Sequence, residues 1–182
     1  MDLSGGSLET RAEKTKKYIR EQAKIIYQAV FTGVTEINKI PVSVVSIPDF
    51  LIFESSGWII RDAKLARHVD EGEHPEIEGQ LQLYGLLLEK TTGEKPSHLE
   101  VLQGDNQIIT LEYSGARAKE FLAELLEVVS KPEEPYSPVG WTRCQSCGYV
   151  ELCWEKSVKN RDVAILPGVD KGLAIFLKKE GI

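Results

Sequence analysis

The residues with the clearest chemical use in this sequence stand on either side of a short turn. Asp49 precedes the apolar run Phe50–Phe53, Glu54-Ser55-Ser56-Gly57 reads as a turn, and Trp58–Ile60 leads into Arg61-Asp62-Ala63-Lys64. Side chains alternate faces along a strand, so Asp62 and Lys64 point one way and Ala63 the other. A hairpin brings Asp49 near Asp62, and two carboxylates and an ammonium then converge at one sheet edge. Hard carboxylate oxygens suit Mg2+ or Mn2+. Such a cation lowers the pKa of a bound water and stabilises charge on a phosphate oxygen. A lysine two residues along can position that water and neutralise the phosphate. Aspartate at a strand start and Asp-x-Lys near a strand end also occur as plain surface charge, so the hairpin alone does not decide.

Gln80 and Tyr84 follow on the next helical segment, four apart and on one face. Glutamine can hydrogen-bond a phosphate, and tyrosine can stack on a base or contact the backbone. A second group has sulfur chemistry: all three cysteines fall in one ten-residue window, Cys144-x2-Cys147-x5-Cys153. An odd, clustered set makes a poor disulfide framework, and its spacing suggests ligation. Thiolates suit zinc or an iron–sulfur cluster, which normally take four. The fourth ligand could come from outside or, for zinc, from His68, His74 or His98. Free thiols without metal remain the alternative.

Composition limits what these groups can serve. The chain has 182 residues, 42% of them hydrophobic, enough to bury a core. No apolar run approaches the length of a membrane helix, and the N-terminus lacks the apolar stretch of a secretory signal, so a cytoplasmic protein without a membrane partner is expected. With 28 acidic against 22 basic residues the net charge is −6, which argues against binding nucleic acid by bulk positive charge. Arg11–Lys24 is locally basic, as a solvated helix face often is.

The elements that must position these residues read as a mixed α/β core. Residues 1–8 are small and polar and are expected to be disordered. A long amphipathic helix is expected from Glu9 to Phe31. Strand-like β-branched runs follow to Ala66, ending in the hairpin above. Glu76–Thr92 reads as a helix with Leu81, Tyr84 and Leu88 on one side. His98–Gln103 and Gln107–Tyr113 flank a turn as a second hairpin. Ala116–Ser130 reads as a helix with Phe121, Leu122, Leu125, Leu126 and Val129 facing inward. The tail, Val158–Ile182, reads as two short helices around Leu166-Pro167-Gly168. Expected boundaries are a core at 9–135, a cysteine segment at 136–156 and a helical tail at 157–182.

Asp49, Asp62-Ala63-Lys64 and Gln80-x3-Tyr84 resemble, in order, motifs II, III and IV of the PD-(D/E)xK nuclease superfamily, in its RecB-like branch. Ile26-Tyr27-Gln28-Ala29-Val30, with Asp62-Ala63-Lys64-Leu65-Ala66-Arg67, resembles a subfamily of RecB-like nucleases that often precede an RNase H-like domain in longer chains. The CRISPR-associated RecB-type iron–sulfur exonucleases are similar in motif order. The resemblance implies a restriction-endonuclease-like core, a mixed central sheet flanked by helices, with a C-terminal cysteine and helical appendage. It implies that Asp49 and Asp62 hold Mg2+ or Mn2+ with the Ala63 carbonyl as a further ligand, and that Lys64 is the catalytic lysine. Gln80 and Tyr84 would contact DNA or order the site. The expected function is a metal-dependent DNA nuclease, an exonuclease on single strands or ends; an inactive DNA-binding or assembly module with the same fold is the alternative. Partners implied are DNA and further domains of a longer chain or a repair- or CRISPR-type complex.

Two departures stand out. The family's first motif is a His or Glu on an upstream helix; Glu21 is the one candidate, unless that residue lies before Met1 in a longer chain. Relatives with this cysteine spacing close a [4Fe-4S] cluster with an upstream fourth cysteine, which this sequence lacks. Leu166-Pro167-Gly168-Val169-Asp170 resembles a worn helix-hairpin-helix, with Asp170 where a glycine is usual.

Overall fold

The computed structural model describes residues 1–65, 74–142, 144–145 and 147–182. They form two compact units, Met1–Val129 and Ser130–Ile182. No helix among the described residues is long and apolar enough to cross a membrane.

The first helix, α1, spans Leu8–Arg20 and stops eleven residues before the expected Phe31. Ser7 caps it by accepting the Thr10 N–H, and Lys17 and Arg20 complement the negative end of its dipole. Gln22 then turns left-handed at φ 51°. Beyond it the burial alternates, Ile25 exposed, Ile26 buried, Tyr27 exposed, and Ile25–Tyr27 is strand β1. The helical spacing of Tyr18, Ile25 and Ile26 joined two elements across a break that no Gly or Pro marks.

Residues 1–8 are ordered against β1, contrary to expectation. The Met1 ammonium donates to the Ile25 carbonyl, Leu3 N–H donates to the Tyr27 carbonyl, and the Leu3 side chain is 3% exposed in the core.

Strands β2 (Phe31–Ile37) and β3 (Ile40–Ser46) form their own two-stranded sheet. Asn38 and Lys39 are both left-handed, as a two-residue turn matched to strand twist requires. The main sheet has the order β1-β4-β5-β6-β7, with β4 at Phe50–Glu54, β5 at Gly57–Ala63, β6 at His98–Leu102 and β7 at Ile108–Leu111. Both expected hairpins, β4–β5 and β6–β7, are present and antiparallel. Strands β5 and β6 run parallel, joined through helix α2 (Pro75–Thr92), so the sheet is mixed.

Helix α2 starts with Pro75 in its first turn and ends at Gly93, whose φ of 80° is the left-handed cap glycine favours. Leu81, Leu87 and Leu88 are fully buried with Ile26, Phe31, Leu51, Ile60, Leu99 and Val101. Helix α3 (Gly115–Val129) packs on α2 with Phe121 against Gly79, and Leu122 is buried, but Leu125 and Val129, expected inside, are 55% and 75% exposed.

Two glycines let α2 be crowded on this side. A Cβ on Gly79 would lie 2.8 Å from the Phe121 ring, and one on Gly85 would lie 2.4 Å from the Tyr113 ring. Tyr113 cannot retreat without losing its 2.6 Å hydrogen bond to Glu89. Gly85→Ala is therefore expected to cost about 1–3 kcal/mol in a chemical denaturation curve, despite the better helix propensity of alanine.

The second unit holds α4 (Val150–Lys159), a 3-10 turn at Val163–Ile165 and α5 (Lys171–Lys179) around Val139, Ala164 and Ala174. The first helix of the tail thus lies earlier than expected and carries Cys153.

Candidate active site

Strand pairing assembles the acidic pair. Phe50 is opposite Arg61, so the next step outward sets Asp49 across from Asp62 at one end of the β4–β5 hairpin. Asp49 N–H donates to Asp62 Oδ1 at 3.4 Å, and Ala63 N–H donates to Asp49 Oδ2 at 2.9 Å. Pro48, fully buried, anchors the entry to β4. Lys64 N–H donates to the Leu102 carbonyl at 2.8 Å, tying the chain beyond β5 to the end of β6.

Strand alternation puts Lys64 on the Asp62 side, where Nζ lies 2.6 Å from Asp62 Oδ2. Nζ also donates to Gln80 Oε1 at 2.7 Å, and Gln80 Nε2 donates to the Tyr84 hydroxyl. The helical repeat carries the last link, since residues four apart on α2 meet on one face. Asp49, Asp62, Ala63, Lys64, Gln80 and Tyr84, all named from the sequence, thus form one hydrogen-bonded row from two strands and a helix.

Asp62 is 4% exposed. Burial raises its carboxyl above the ordinary 3.8, and the neighbouring Asp49 charge adds to this, while the Lys64 hydrogen bond and charge oppose it. A second cationic charge at this point would relieve what Lys64 relieves only in part. The donor set fits a hard divalent cation, which takes one or two carboxylates and leaves other positions to water and substrate oxygens.

Tyr84 is 8% exposed, with its ring in the core cluster. Burial first, then the Asp62 charge, pushes its hydroxyl up to about 12, so it stays protonated at neutral pH. Its contribution to the site is an oriented hydroxyl on Gln80. Tyr84→Phe keeps the ring and removes that hydroxyl. It is expected to leave the melting temperature nearly unchanged while slowing turnover about three- to tenfold, the worth of one hydrogen bond.

Gln28 was not singled out individually from the sequence. Its Nε2 donates to Asp49 Oδ1 at 2.8 Å, its N–H to the Asp49 carbonyl at 2.9 Å, and its own carbonyl accepts from Arg11 Nη2 at 3.1 Å. It sits left-handed at φ 56° just after β1. The phrase Ile26–Val30 was the available signal, but not which of its side chains faces the site. Glu21 does not join the row: it caps the C-terminal end of α1, 54% exposed, beside Lys17 at 3.9 Å.

The cysteine window is a separate matter. Gly140 N–H donates to Cys144 Sγ at 3.4 Å, Trp141 and Trp154 meet edge to face with centroids 4.6 Å apart, and Cys147 is exposed. Among the described residues no three His, Cys, Asp or Glu side chains gather as a metal site. His98 is 3.0 Å from Glu100, His74 is 2.9 Å from Glu76, and His68 lies outside the described residues. In the tail, Asp170 accepts the Leu173 N–H at 2.8 Å. The helix-start donor that a helix-hairpin-helix would offer to phosphate is therefore used by a cap.

No curated protein matches the chain. Among solved structures, the crystal structure of SSO0001 superposes with a TM-score of 0.44 at 14% identity, over 80% of this chain and 67% of that one. The sequence model of the PD-(D/E)XK nuclease superfamily matches residues 5–154, which takes in the acidic hairpin, Lys64 and the Gln80–Tyr84 face of α2. The chain belongs to the PD-(D/E)XK nuclease superfamily.

Proposed function

We propose that this protein hydrolyses DNA phosphodiester bonds with Mg2+ or Mn2+, acting as an exonuclease on single strands or ends. The observation that supports this reading most directly is the continuous row Asp49–Asp62–Lys64–Gln80–Tyr84, in which a half-buried and a buried carboxylate and an ammonium meet at one end of two inner strands. Asp49 and Asp62, with the Ala63 carbonyl, would hold the cation, which when bound supplies a water of lowered pKa and charge neutralisation at the phosphate. Lys64 points its ammonium into the same space and neutralises a non-bridging oxygen as negative charge develops there. Gln80 fixes the Lys64 ammonium and Tyr84 fixes Gln80, so the donor needs little reorganisation during reaction. Water oxygen forms the new bond to phosphorus and gives up a proton to solvent as a bridging P–O bond breaks, and the departing oxygen takes up a proton from solvent.

A second reading, a DNA-binding or assembly module that does not cleave, is favoured by Gln28. A neutral amide lies against Asp49 where a further upstream carboxylate would strengthen cation binding. Cleavage of end-labelled single-stranded and duplex DNA, with Mn2+ and with chelator, separates the two. Mn2+-dependent product supports the nuclease. Retained DNA binding by folded protein, with no product in any divalent cation, supports the module and sinks the nuclease.

A further inference from the structure

The carboxylate at Asp49 has a support that comes from outside the acidic hairpin. Strand β1 pairs with β4 over three residues, the last being Tyr27 opposite Phe50, and the next step sets Gln28 across from Asp49. At that step the chain leaves the strand, with Gln28 left-handed at φ 56°. Glycine takes this conformation freely, whereas the Cβ of glutamine is strained in it. A strained residue beside a reactive group persists only where its surroundings fix it.

Helix α1 does the fixing. Gln28 N–H donates to the Asp49 carbonyl at 2.9 Å, and the Gln28 carbonyl accepts from Arg11 Nη2 at 3.1 Å. One turn further along α1, the fully buried Thr15 hydroxyl accepts the Val30 N–H at 2.9 Å and donates to the Arg11 carbonyl. The chain is thus pinned at Gln28 and again at Val30. The held conformation brings Gln28 Nε2 to 2.8 Å from Asp49 Oδ1, while Ala63 N–H holds Oδ2. Without the amide only Oδ2 is tied, and the carboxylate can swing about that one bond. An ionised carboxylate has more lone pairs than these two donors occupy, so Asp49 is oriented and still able to ligate.

We propose that Gln28 is a positioning residue for cation binding: it holds the Asp49 carboxylate in its ligating orientation, and Arg11 of α1 holds Gln28 in turn. This rests on the nuclease reading above and deepens it by tying α1 to the cation site. The residue type suits the task. A lysine or arginine here could also hold Asp49, but its charge would oppose the cation. A glutamate would repel Asp49 whenever the cation is absent. An amide donates a hydrogen bond with no net charge. Groups that hydrogen-bond a metal-ligating side chain contribute to affinity because the ligand needs no reorganisation when the cation arrives.

The test measures Mn2+ dissociation constants by electron paramagnetic resonance, a readout independent of turnover, beside thermal melts in chelator. Gln28→Met keeps the side-chain length and removes the donor. It is expected to weaken Mn2+ binding about tenfold and to lower kcat at subsaturating Mn2+, with KM for DNA within about twofold of the parent. Gln28→Gly removes the same donor but relaxes the left-handed backbone. It should bind Mn2+ as weakly as Gln28→Met while melting no lower, whereas a residue serving stability alone would have affinity follow melting temperature. In an Asp49→Ala background, Gln28→Met is expected to change the Mn2+ constant by less than about twofold, since the group it orients is gone. Parent-like or tighter Mn2+ binding by Gln28→Met overturns the proposal. So does an undiminished loss in the Asp49→Ala background, which would make Gln28 a ligand in its own right. Cleavage of labelled DNA, run in parallel, separates the two readings. A parent whose Mn2+ binding depends on Gln28 but that cuts no DNA sinks the nuclease and keeps the positioning role. A cutting parent whose Mn2+ affinity is indifferent to Gln28 does the reverse, and a parent that binds no Mn2+ overturns both.

Discussion

Lys64→Met is expected to abolish cleavage, with a fall of about 10^3-fold in turnover, because it removes the one ammonium bonded to both Asp62 and Gln80. The methionine fills similar volume, so the hairpin should persist, but Asp62 loses the charge that opposes its burial. Its carboxyl then rises further above 3.8, since the Lys64 hydrogen bond and charge are the largest factors lowering it. An acid whose folded-state pKa exceeds its unfolded value binds its proton more tightly when folded. The folded state is therefore penalised above that pKa and recovers as pH falls through it. The variant should lose about 2 kcal/mol at neutral pH, moderated because Lys64 keeps 26% exposure, and most of the loss should vanish toward the unfolded carboxyl value. Thermal melts across an acid-to-neutral pH series, with a single-turnover assay, check both halves. A variant that cuts at the parent rate would remove Lys64 from the reaction.

The second large effect has the same activity outcome and the opposite stability sign. Asp62→Asn keeps the shape of the side chain and removes a buried negative charge. Cleavage should fall on the order of 10^3-fold or more, since a cation site worth several kcal/mol of transition-state stabilisation loses a charged ligand. At neutral pH the variant should melt above the parent, because the raised Asp62 pKa marks an ionised form that folding disfavours. On acidification the parent protonates Asp62 and the two melting curves should draw together. Mn2+ supplies an independent readout: at a hundredfold excess over its dissociation constant it should stabilise the parent by about 2.7 kcal/mol and the variant hardly at all. Equal Mn2+ stabilisation of both proteins would place the cation elsewhere. A fall in the variant's melting temperature would show that the Asp62–Lys64 pair contributes more to stability than burial costs.

The row that these variants probe was legible in the sequence because each link follows from a fixed period. Asp62 and Lys64 share a face by strand alternation, Asp49 reaches Asp62 by hairpin register, and Gln80 reaches Tyr84 by one helical turn. Strands β4 to β7 and helices α2 and α3 were legible for the same reason, with turn residues marking their ends. The failures come where period and punctuation disagree. Nothing in Glu21-Gln22-Ala23-Lys24 announces that α1 has ended, since the break is a left-handed glutamine instead of a glycine. Gln28 was hidden because its role depends on β1 lying beside β4, a pairing between residues 23 to 27 apart in sequence. Leu125 and Val129 have the spacing of core residues, and only the position of α3 against α2 shows that they stay open. Leu3 lies in a segment whose composition suggests disorder, yet its burial is set by a neighbouring strand edge that composition does not encode.

That last feature bears on how copies of this protein behave together. A sheet exposes unpaired backbone at its two outermost strands, and such rims can recruit strands from other chains. Here β1 is one rim of the main sheet, and residues 1–3 already run alongside it, with backbone bonds at Ile25 and Tyr27 and Leu3 buried beneath. The rim beside the acidic hairpin is thus filled by the chain itself. Intermolecular strand addition to the main sheet is left with the far side at β7, which is three strands away from the β4 strand that Asp49 leads into. Self-association of folded molecules through the sheet would therefore leave the end that carries Asp49 and Asp62 unobstructed.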